Sequence, residues 1–101
     1  MLNNFTEEYI HREVANVMHP TINCSLVELG IVKNIEIKTD KVIITMALPF
    51  PDIPIEDYLG EIVRESVEEI ETTVEIDTVV MTKYELQKFL SLEKKKLRKG
   101  V

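Results

Sequence analysis

The stretch that decides the fold is Ile31–Leu48, which reads IVKNIEIKTDKVIITMAL. Over Ile31–Lys38, apolar and polar residues alternate as they do in a strand that buries one face. The second half, Val42–Leu48, is apolar on both faces and therefore predicts a central strand. Thr39 and Asp40 supply a short turn between the two halves. The stretch therefore predicts a β-hairpin.

The segment after the hairpin is interrupted by prolines and then becomes strongly helical. Residues 49–54 read PFPDIP, and because proline lacks the N–H that a central strand needs, they predict a stiff loop. Pro54 suits the first turn of a second helix, which would place Ile53 at its N-cap. The inward positions of this helix follow helical spacing: Leu59, Ile62, Val63, Ser66, Val67 and Ile70. Its opposite face is acidic, which is typical of a solvated surface.

A third strand, a last helix and a first helix complete the predicted order. Alternation over Val74–Val80 predicts the strand, and Thr82 with Glu85 matches a capping box that begins the last helix. Upstream, one apolar stripe predicts a first helix that Pro20 ends. The stripe consists of Ile10, Val14, Val17 and Met18. Residues 1–101 are therefore predicted to form a single α+β domain, a two-layer α-β-β-α-β-α arrangement with a small three-stranded mixed sheet.

The composition of the 101 residues is that of an ordinary globular domain. Eighteen acidic and twelve basic residues give a net charge of −6, which argues against a dedicated nucleic-acid binder. No apolar run approaches the roughly 20 residues that span a bilayer, so no membrane association is expected. A single cysteine excludes an internal disulfide and, with no signal peptide at the N-terminus, favours a cytoplasmic protein.

The basic residues gather in the last helix and tail, about residues 83–101, and close the chain with Lys94, Lys95, Lys96, Arg98 and Lys99. Such a cluster is one signature of nucleic-acid or membrane binding. The other interpretation is that cations at the end of a helix complement its dipole. The apolar face that a membrane helix needs is thin here, so the second interpretation is favoured.

The search for chemistry returns no catalytic constellation, and the chain is not expected to be an enzyme. The three glycines stand alone, and the carboxylates lie on helix faces without a neighbouring nucleophile or histidine. His19 and Cys24 are close enough in sequence to share one loop, which makes them weak candidates for a metal half-site that a second chain completes. The favoured interpretation is a loop histidine and a buried thiol that behaves as a small hydrophobic side chain.

The stretch His19–Val32, which reads HPTINCSLVELGIV, resembles the signature of a known family. Members typically read D-P-E-I/L-x-x-S-I/L-V-D/E-L-G-M/L-I/V, followed by a hairpin, a proline-containing loop and a helix. The chain is similar to the iron–sulfur cluster assembly domain family, which includes PaaD and SufT and forms the N-terminal part of Mrp-type P-loop ATPases. The similarity extends from the first helix through Thr82.

Two departures from the family pattern change what the resemblance implies. Where members usually carry acidic residues around the proline, this sequence has His19 and Thr21. Many members also carry a reactive cysteine in T-x-x-x-C-P before the second helix, and Ile53 takes its place here. A thiol at a helix N-terminus has a lowered pKa and binds metals or acts as a nucleophile, whereas isoleucine does neither. The chain most resembles Mrp-type N-terminal domains that lack this cysteine.

The resemblance implies a non-enzymatic accessory module for iron–sulfur cluster assembly or delivery. Such a module binds no cofactor itself and docks on a protein partner, a P-loop ATPase carrier or another assembly factor. The residues expected to contact that partner are Leu26, Glu28, Gly30, Phe50, Asp52, Ile53 and Pro54. For Gly30 and Leu29 a purely structural role is an equally good interpretation. The alternative function is a direct carrier of an iron–sulfur cluster or metal, with Cys24 as a ligand across a homodimer.

Overall fold

The computed structural model describes residues 4–51, 55–67 and 73–96. Its elements are α1 (Asn4–Ala15), β1 (Val32–Ile37), β2 (Lys41–Leu48), α2 (Glu56–Ser66), β3 (Thr73–Val80) and α3 (Lys83–Lys96). The sheet has the order β1-β2-β3, with β1 antiparallel and β3 parallel to the central β2. The predicted α+β order, the hairpin and the parallel crossover through α2 are confirmed.

The central strand β2 explains why the hairpin stretch decides the fold. Its alternate residues on one face are all buried: Val42, Ile44, Met46 and Leu48. Ile44 pairs with Ile35 of β1 on one side and with Ile76 of β3 on the other, and both neighbours pack against the core. Burial of each such aliphatic side chain stabilises the fold by about 1.5–3 kcal/mol. One strand therefore organises the core across the whole sheet.

The second helix, α2, directs its predicted apolar stripe into the core but begins later than predicted. Leu59 and Val63 are buried, whereas Ile62 is only partly buried. The helix begins at Glu56 because its first intrahelical hydrogen bond runs from the Leu59 N–H to the carbonyl of Ile55, at 2.9 Å. Ile55 is therefore the N-cap, and the prediction that residue 53 holds this position is wrong. Residues 52–54 lie outside the described residues, as does residue 70 of the predicted stripe.

The first helix, α1, ends earlier than the sequence predicts. The prediction extended the helix toward Pro20, whereas α1 ends at Ala15. The Leu26 N–H donates to the carbonyl of Val17 at 2.9 Å, so the chain that follows α1 pairs with a later segment. The Asn16 and Val17 N–H groups donate to carbonyls three residues back, and Met18 then forms an isolated antiparallel bridge with Ser25, so the chain leaves the helical path here. Met18, the last residue of the predicted stripe, is consequently exposed.

The last helix, α3, is attached at both ends. At its start the predicted capping box is confirmed, because the Thr82 N–H donates to Glu85 Oε1 at 2.8 Å and the Glu85 N–H donates to Thr82 Oγ1 at 3.2 Å. Lys33 Nζ lies 3.1 Å from Glu85 Oε2, and these contacts, first the Thr82 N–H and then Lys33, lower the pKa of Glu85. At its end the Asn23 N–H donates to the carbonyl of Lys96 at 2.7 Å. α3 is therefore held at its end by the loop that contains Asn23 and at its start by β1, through Lys33.

Candidate functional site

Three segments of the chain meet at one end of the sheet. The Ala47 N–H donates to the carbonyl of Ile31 at 2.7 Å, so the turn that precedes β1 lies beside the end of β2. The Met81 N–H donates to the carbonyl of Leu48 at 2.8 Å, so β3 ends beside the same residues. The turn before β1, the loop after β2 and the start of α3 therefore emerge together. Two of the segments expected to bind a partner, residues 26–30 and the loop from residue 49, are thus neighbours in space.

The turn before β1 begins with a reciprocal cap that its own sequence supplies. Ser25 Oγ accepts a hydrogen bond from the Glu28 N–H at 3.0 Å, and Glu28 Oε1 accepts one from the Ser25 N–H at 3.2 Å. This is a capping box, the arrangement that normally starts an α-helix. The Leu29 N–H then donates to the carbonyl of Ser25 at 3.1 Å, which forms one helical turn. Glu28, expected to contact a partner, therefore uses its carboxylate within the turn.

The same turn ends at Gly30, which has the left-handed φ of +80°. The Gly30 N–H donates to the carbonyl of Val27 at 3.0 Å, and the Ile31 N–H donates to the carbonyl of Leu26 at 2.9 Å. These two bonds together define a Schellman motif, which closes helices at a glycine. The sequence SLVELG therefore encodes a single helical turn that is capped at both ends. Gly30 therefore has a structural role, which its left-handed φ requires.

The side chains of this turn divide between core and surface. Leu26 and Leu29 are both fully buried, so the core holds the Leu26 side chain that was expected to contact a partner. Val27 between them is 42% exposed, and it lines a groove of about 420 Å³ with His11 of α1 and the start of β1. Because Leu26 and Leu29 are three residues apart in a helical turn, they share one face, and Val27 and Glu28 between them face away from the core. That spacing is the signal by which Val27 could have been found from sequence.

The ends of β2 and β3 expose large apolar side chains beside this turn. Phe50, which follows β2, is 52% exposed, as is Val80 at the end of β3, and Tyr84 at the start of α3 is 76% exposed. We call Phe50, Val80 and Tyr84 the sheet-end residues. Phe50 was expected from the sequence, whereas Val80 and Tyr84 were missed because only the parallel register shows that the two strands end together. Asp52, Ile53 and Pro54, also expected here, lie outside the described residues.

His19 performs a structural task in the loop before the capped turn. Its Nδ1 accepts hydrogen bonds from the N–H groups of Thr21 at 3.1 Å and Ile22 at 3.2 Å. A ring that accepts at Nδ1 and is neutral carries its proton on Nε2. Burial lowers the pKa of His19, which favours this neutral form. An aspartate at this position, as in the motif that the sequence resembles, would also offer an acceptor for nearby backbone N–H groups.

His19 and Cys24 share one loop, as predicted, because the His19 N–H donates to the carbonyl of Cys24 at 3.0 Å. The Cys24 side chain is only 2% exposed and belongs to the hydrophobic core. Among the described residues, no group of three or more His, Cys, Asp or Glu side chains is placed to hold a metal ion. A resident iron–sulfur cluster normally takes several cysteine ligands, and this sequence contains one. The donor set therefore does not fit a cluster held by a single chain.

The basic residues in the last turn of α3 lie where they complement the helix dipole. Lys94, Lys95 and Lys96 form the last turn of α3 and are all exposed. Cations near the C-terminal carbonyls of a helix stabilise it. Arg98 and Lys99 lie outside the described residues. Within the ranges that are described, no helix combines the length and apolarity that a membrane span requires.

Comparison with known proteins assigns the chain to a family. A sequence model of the family described as iron–sulfur cluster assembly protein matches residues 7–78. The chain belongs to this family. The matched residues run from α1 into β3 and include the capped turn and the hairpin. Within this member of the iron–sulfur cluster assembly family, α3 is the described element that the family match leaves out.

Two individual proteins show how far the similarity extends. The chain is 36% identical over 66 residues to an Fe-S protein maturation auxiliary factor of Porphyromonas gingivalis, a match that covers 64% of this chain and 63% of that relative. The chain thus spans less than two thirds of the relative's length. The crystal structure of a domain of unknown function, DUF59, from Bacillus anthracis matches with a TM-score of 0.59 and 17% identity. That match covers 87% of this chain and 92% of the other, and it confirms the fold.

Proposed function

We propose that this protein is a non-enzymatic accessory factor in the maturation of iron–sulfur proteins. The family match over residues 7–78 supports this role, as does the name of the 36% identical relative, an Fe-S protein maturation auxiliary factor. In this role the iron–sulfur cluster is cargo that a partner holds. The chain contributes a binding surface and no ligand of its own.

The observation that carries the proposal is the exposure of the sheet-end residues. Phe50, Val80 and Tyr84 are each more than half exposed and emerge from segments that the paired strands hold at one end of the sheet. Large apolar side chains gathered on a rigid scaffold are typical of a surface that binds another protein. Aromatic side chains in particular provide much of the binding energy at such interfaces. The sheet-end residues are therefore the docking site that we propose.

We further propose that the partner is a P-loop ATPase carrier or another assembly factor. The resemblance of His19–Val32 to the N-terminal part of Mrp-type ATPases supports an ATPase, because the two domains belong to one chain there. In this proposal the domain and the ATPase meet through a non-covalent interface. The relevant interface would then be a weak or transient one of moderate area.

The experiment is a binding measurement between the purified protein and the P-loop ATPase of its source cells. Phe50→Ser with Val80→Ser should weaken binding at least tenfold, since two exposed apolar contacts are lost. Glu65→Ala, a control on the exposed face of α2, should bind as the unmodified protein does. An ATPase that binds the serine variant equally well would contradict the proposed site.

The alternative function, a direct cluster or metal carrier, needs the Cys24 thiol to reach a ligand across a dimer. The burial of that thiol in the core opposes this role, because a side chain that is 2% exposed cannot meet a second chain without local opening. Anaerobically purified protein should therefore contain no stoichiometric iron or sulfide. Iron that is present in the unmodified protein and absent from Cys24→Ser would establish the carrier function instead.

A further inference from the structure

The outer side of β3 borders a groove that the proposed function does not use. The groove has a volume of about 420 Å³ and lies between α2 and β3. Ile76 and Thr78 form the strand side, and Asp57 and Glu61 stand on the helix side. Gly60 lies between the two acidic residues, and a Cβ there would meet no atom within 4 Å, so the helix surface recedes at this point.

Alternate residues of β3 direct their backbone N–H and C=O groups away from β2 and toward this groove. The Met81 N–H donates to the carbonyl of Leu48 in β2. At this end of β3, the odd-numbered residues therefore direct their backbone N–H and C=O groups toward β2. Because successive residues of a strand direct their N–H and C=O groups to opposite sides, the even-numbered residues face outward. The Arg64 guanidinium, through Nη1, donates to the carbonyl of Val74, which confirms the outward direction of that carbonyl.

Among the described residues, only part of the outer edge is covered. Arg64 closes the edge at Val74, at one end of the groove. No strand among the described residues pairs with β3 on this side. Ile76, Thr78 and Val80 therefore present a row of backbone donors and acceptors that suits one more strand.

The charged residues beside the outer edge of β3 favour a strand of a particular composition. Glu56, Asp57 and Glu61 line the helix wall of the groove, and Arg64, its one basic lining residue among those described, is engaged with the β3 backbone. Asp77 adds a carboxylate on the other face of the strand and is exposed. A second copy of β3 contains two acidic residues and no basic residue, so it supplies no charge that complements this wall.

We propose that this edge binds an extended segment of a partner protein that carries lysine or arginine at alternate positions. The segment adds to the sheet as a fourth strand, and its backbone pairs with Ile76, Thr78 and Val80. Its basic side chains meet the acidic wall of α2, where opposite charges favour both the rate of encounter and the register. This surface does not depend on the iron–sulfur role. It adjoins the sheet-end residues at Val80, where it uses the backbone and not the exposed side chain, and it differs from them in the chemistry that it recognises.

The test measures the fluorescence anisotropy of a labelled eight-residue peptide, with lysine alternating with threonine, against the full chain. Thr78→Pro should weaken binding about tenfold, since proline removes an outward N–H and its ring obstructs the approaching strand. Proline is tolerated on edge strands where its nitrogen faces outward, and circular dichroism checks that the variant folds. Thr78→Val, the matched control, keeps the N–H and should bind as the unmodified chain does.

A second variant keeps the proposal testable if Thr78→Pro fails to fold. Asp57→Lys with Glu61→Lys should also weaken binding of the lysine peptide and reduce its salt dependence, because the acidic wall is reversed. A peptide with glutamate in place of lysine should not bind the unmodified chain. Equal binding by the glutamate peptide, undiminished binding by either variant, or no binding of the lysine peptide would overturn the proposal. A dimer that Thr78→Pro dissociates would identify a second copy as the occupant and overturn it as well.

Discussion

The side chains of Ser25 and Glu28 each accept a hydrogen bond from the other residue's backbone N–H. Ser25 Oγ lies 3.0 Å from the Glu28 nitrogen, and Glu28 Oε1 lies 3.2 Å from the Ser25 nitrogen. This reciprocal pair starts a single helical turn whose buried leucines, Leu26 and Leu29, join the core directly before β1. The turn therefore fixes where the hairpin begins relative to the rest of the fold. It also holds Val27 outward, where this side chain lines the groove beside His11.

Removing this cap should destabilise the fold measurably. Ser25→Ala should lower the free energy of unfolding by about 0.5–2 kcal/mol, the usual loss when an N-cap hydroxyl is deleted. Urea denaturation followed by circular dichroism gives the value. Ser91→Ala, within α3 and exposed, serves as the control and should change stability by less than about 0.5 kcal/mol. Equal losses at the two positions would show that the cap has no special role.

The two described glycines should respond in opposite directions to alanine. Gly30 has a φ of +80°, so Gly30→Ala should cost about 1–2 kcal/mol of stability through backbone strain. Gly60 lies inside α2 with open space around it, so Gly60→Ala should stabilise by about 0.5–1 kcal/mol. Thermal unfolding of the two variants measures both effects. A stabilised Gly30→Ala would contradict the closing motif of the capped turn.

The order of elements could be predicted from the sequence because local patterns determine it. Alternation over the hairpin, the stripe of α2 and the Thr82–Glu85 box each depend on near neighbours. The hairpin and the box were confirmed, and the stripe was confirmed at Leu59, Val63 and Val67. The end of α1 could not be predicted in this way. It depends on the bond between the Leu26 N–H and the Val17 carbonyl, which joins segments that no local pattern connects.

The candidate site was predictable only in part, for a similar reason. Phe50 lies in a loop that the prolines identify, so its exposure could be anticipated. Val80 joins it only through the parallel register of Leu48 with Val80, which is a tertiary fact. Leu26 was assigned to the surface because the family motif was interpreted as functional, whereas the capped turn explains the motif as a device that buries this side chain.

The assignment of Leu26 to the core and Val27 to the surface can be tested with two neighbouring substitutions. Leu26→Ala should lower the free energy of unfolding by about 2–5 kcal/mol, as expected for a fully buried leucine. Val27→Ala, at a position that is 42% exposed, should lower it by less than about 1 kcal/mol. Chemical denaturation of both variants gives the comparison. Similar losses would show that the orientation of the turn is wrong.

Protonation of His19 should make the fold less stable in mild acid. Burial lowers the pKa of this ring from its ordinary value of 6.5, so the unfolded chain takes up a proton more readily than the folded one. The stability that depends on the neutral ring is therefore complete above the ordinary value and is lost as the pH falls through the lowered pKa. Protonation would also replace the acceptor of the Thr21 and Ile22 N–H groups by a donor.

The measurement is the free energy of unfolding as a function of pH for three proteins. The unmodified chain should lose stability below the ordinary histidine pKa. His19→Asp should lose less over the same range, since a carboxylate accepts the same two hydrogen bonds and stays ionised there. His11→Asn, at an exposed position, should follow the unmodified chain. A His19→Asp profile that matches the unmodified one would contradict this role for His19.

The central claim is that the protein assists iron–sulfur protein maturation through its sheet-end residues, and one measurement in the source cells tests it most directly. The activity of an iron–sulfur enzyme is compared in cells that lack the protein and in cells that carry the unmodified chain, Phe50→Ser with Val80→Ser, or the control Glu65→Ala. We expect activity to fall when the protein is absent and to be restored by the unmodified chain and the control, but not by the serine variant. Full enzyme activity without the protein, together with normal cluster content, would contradict the account.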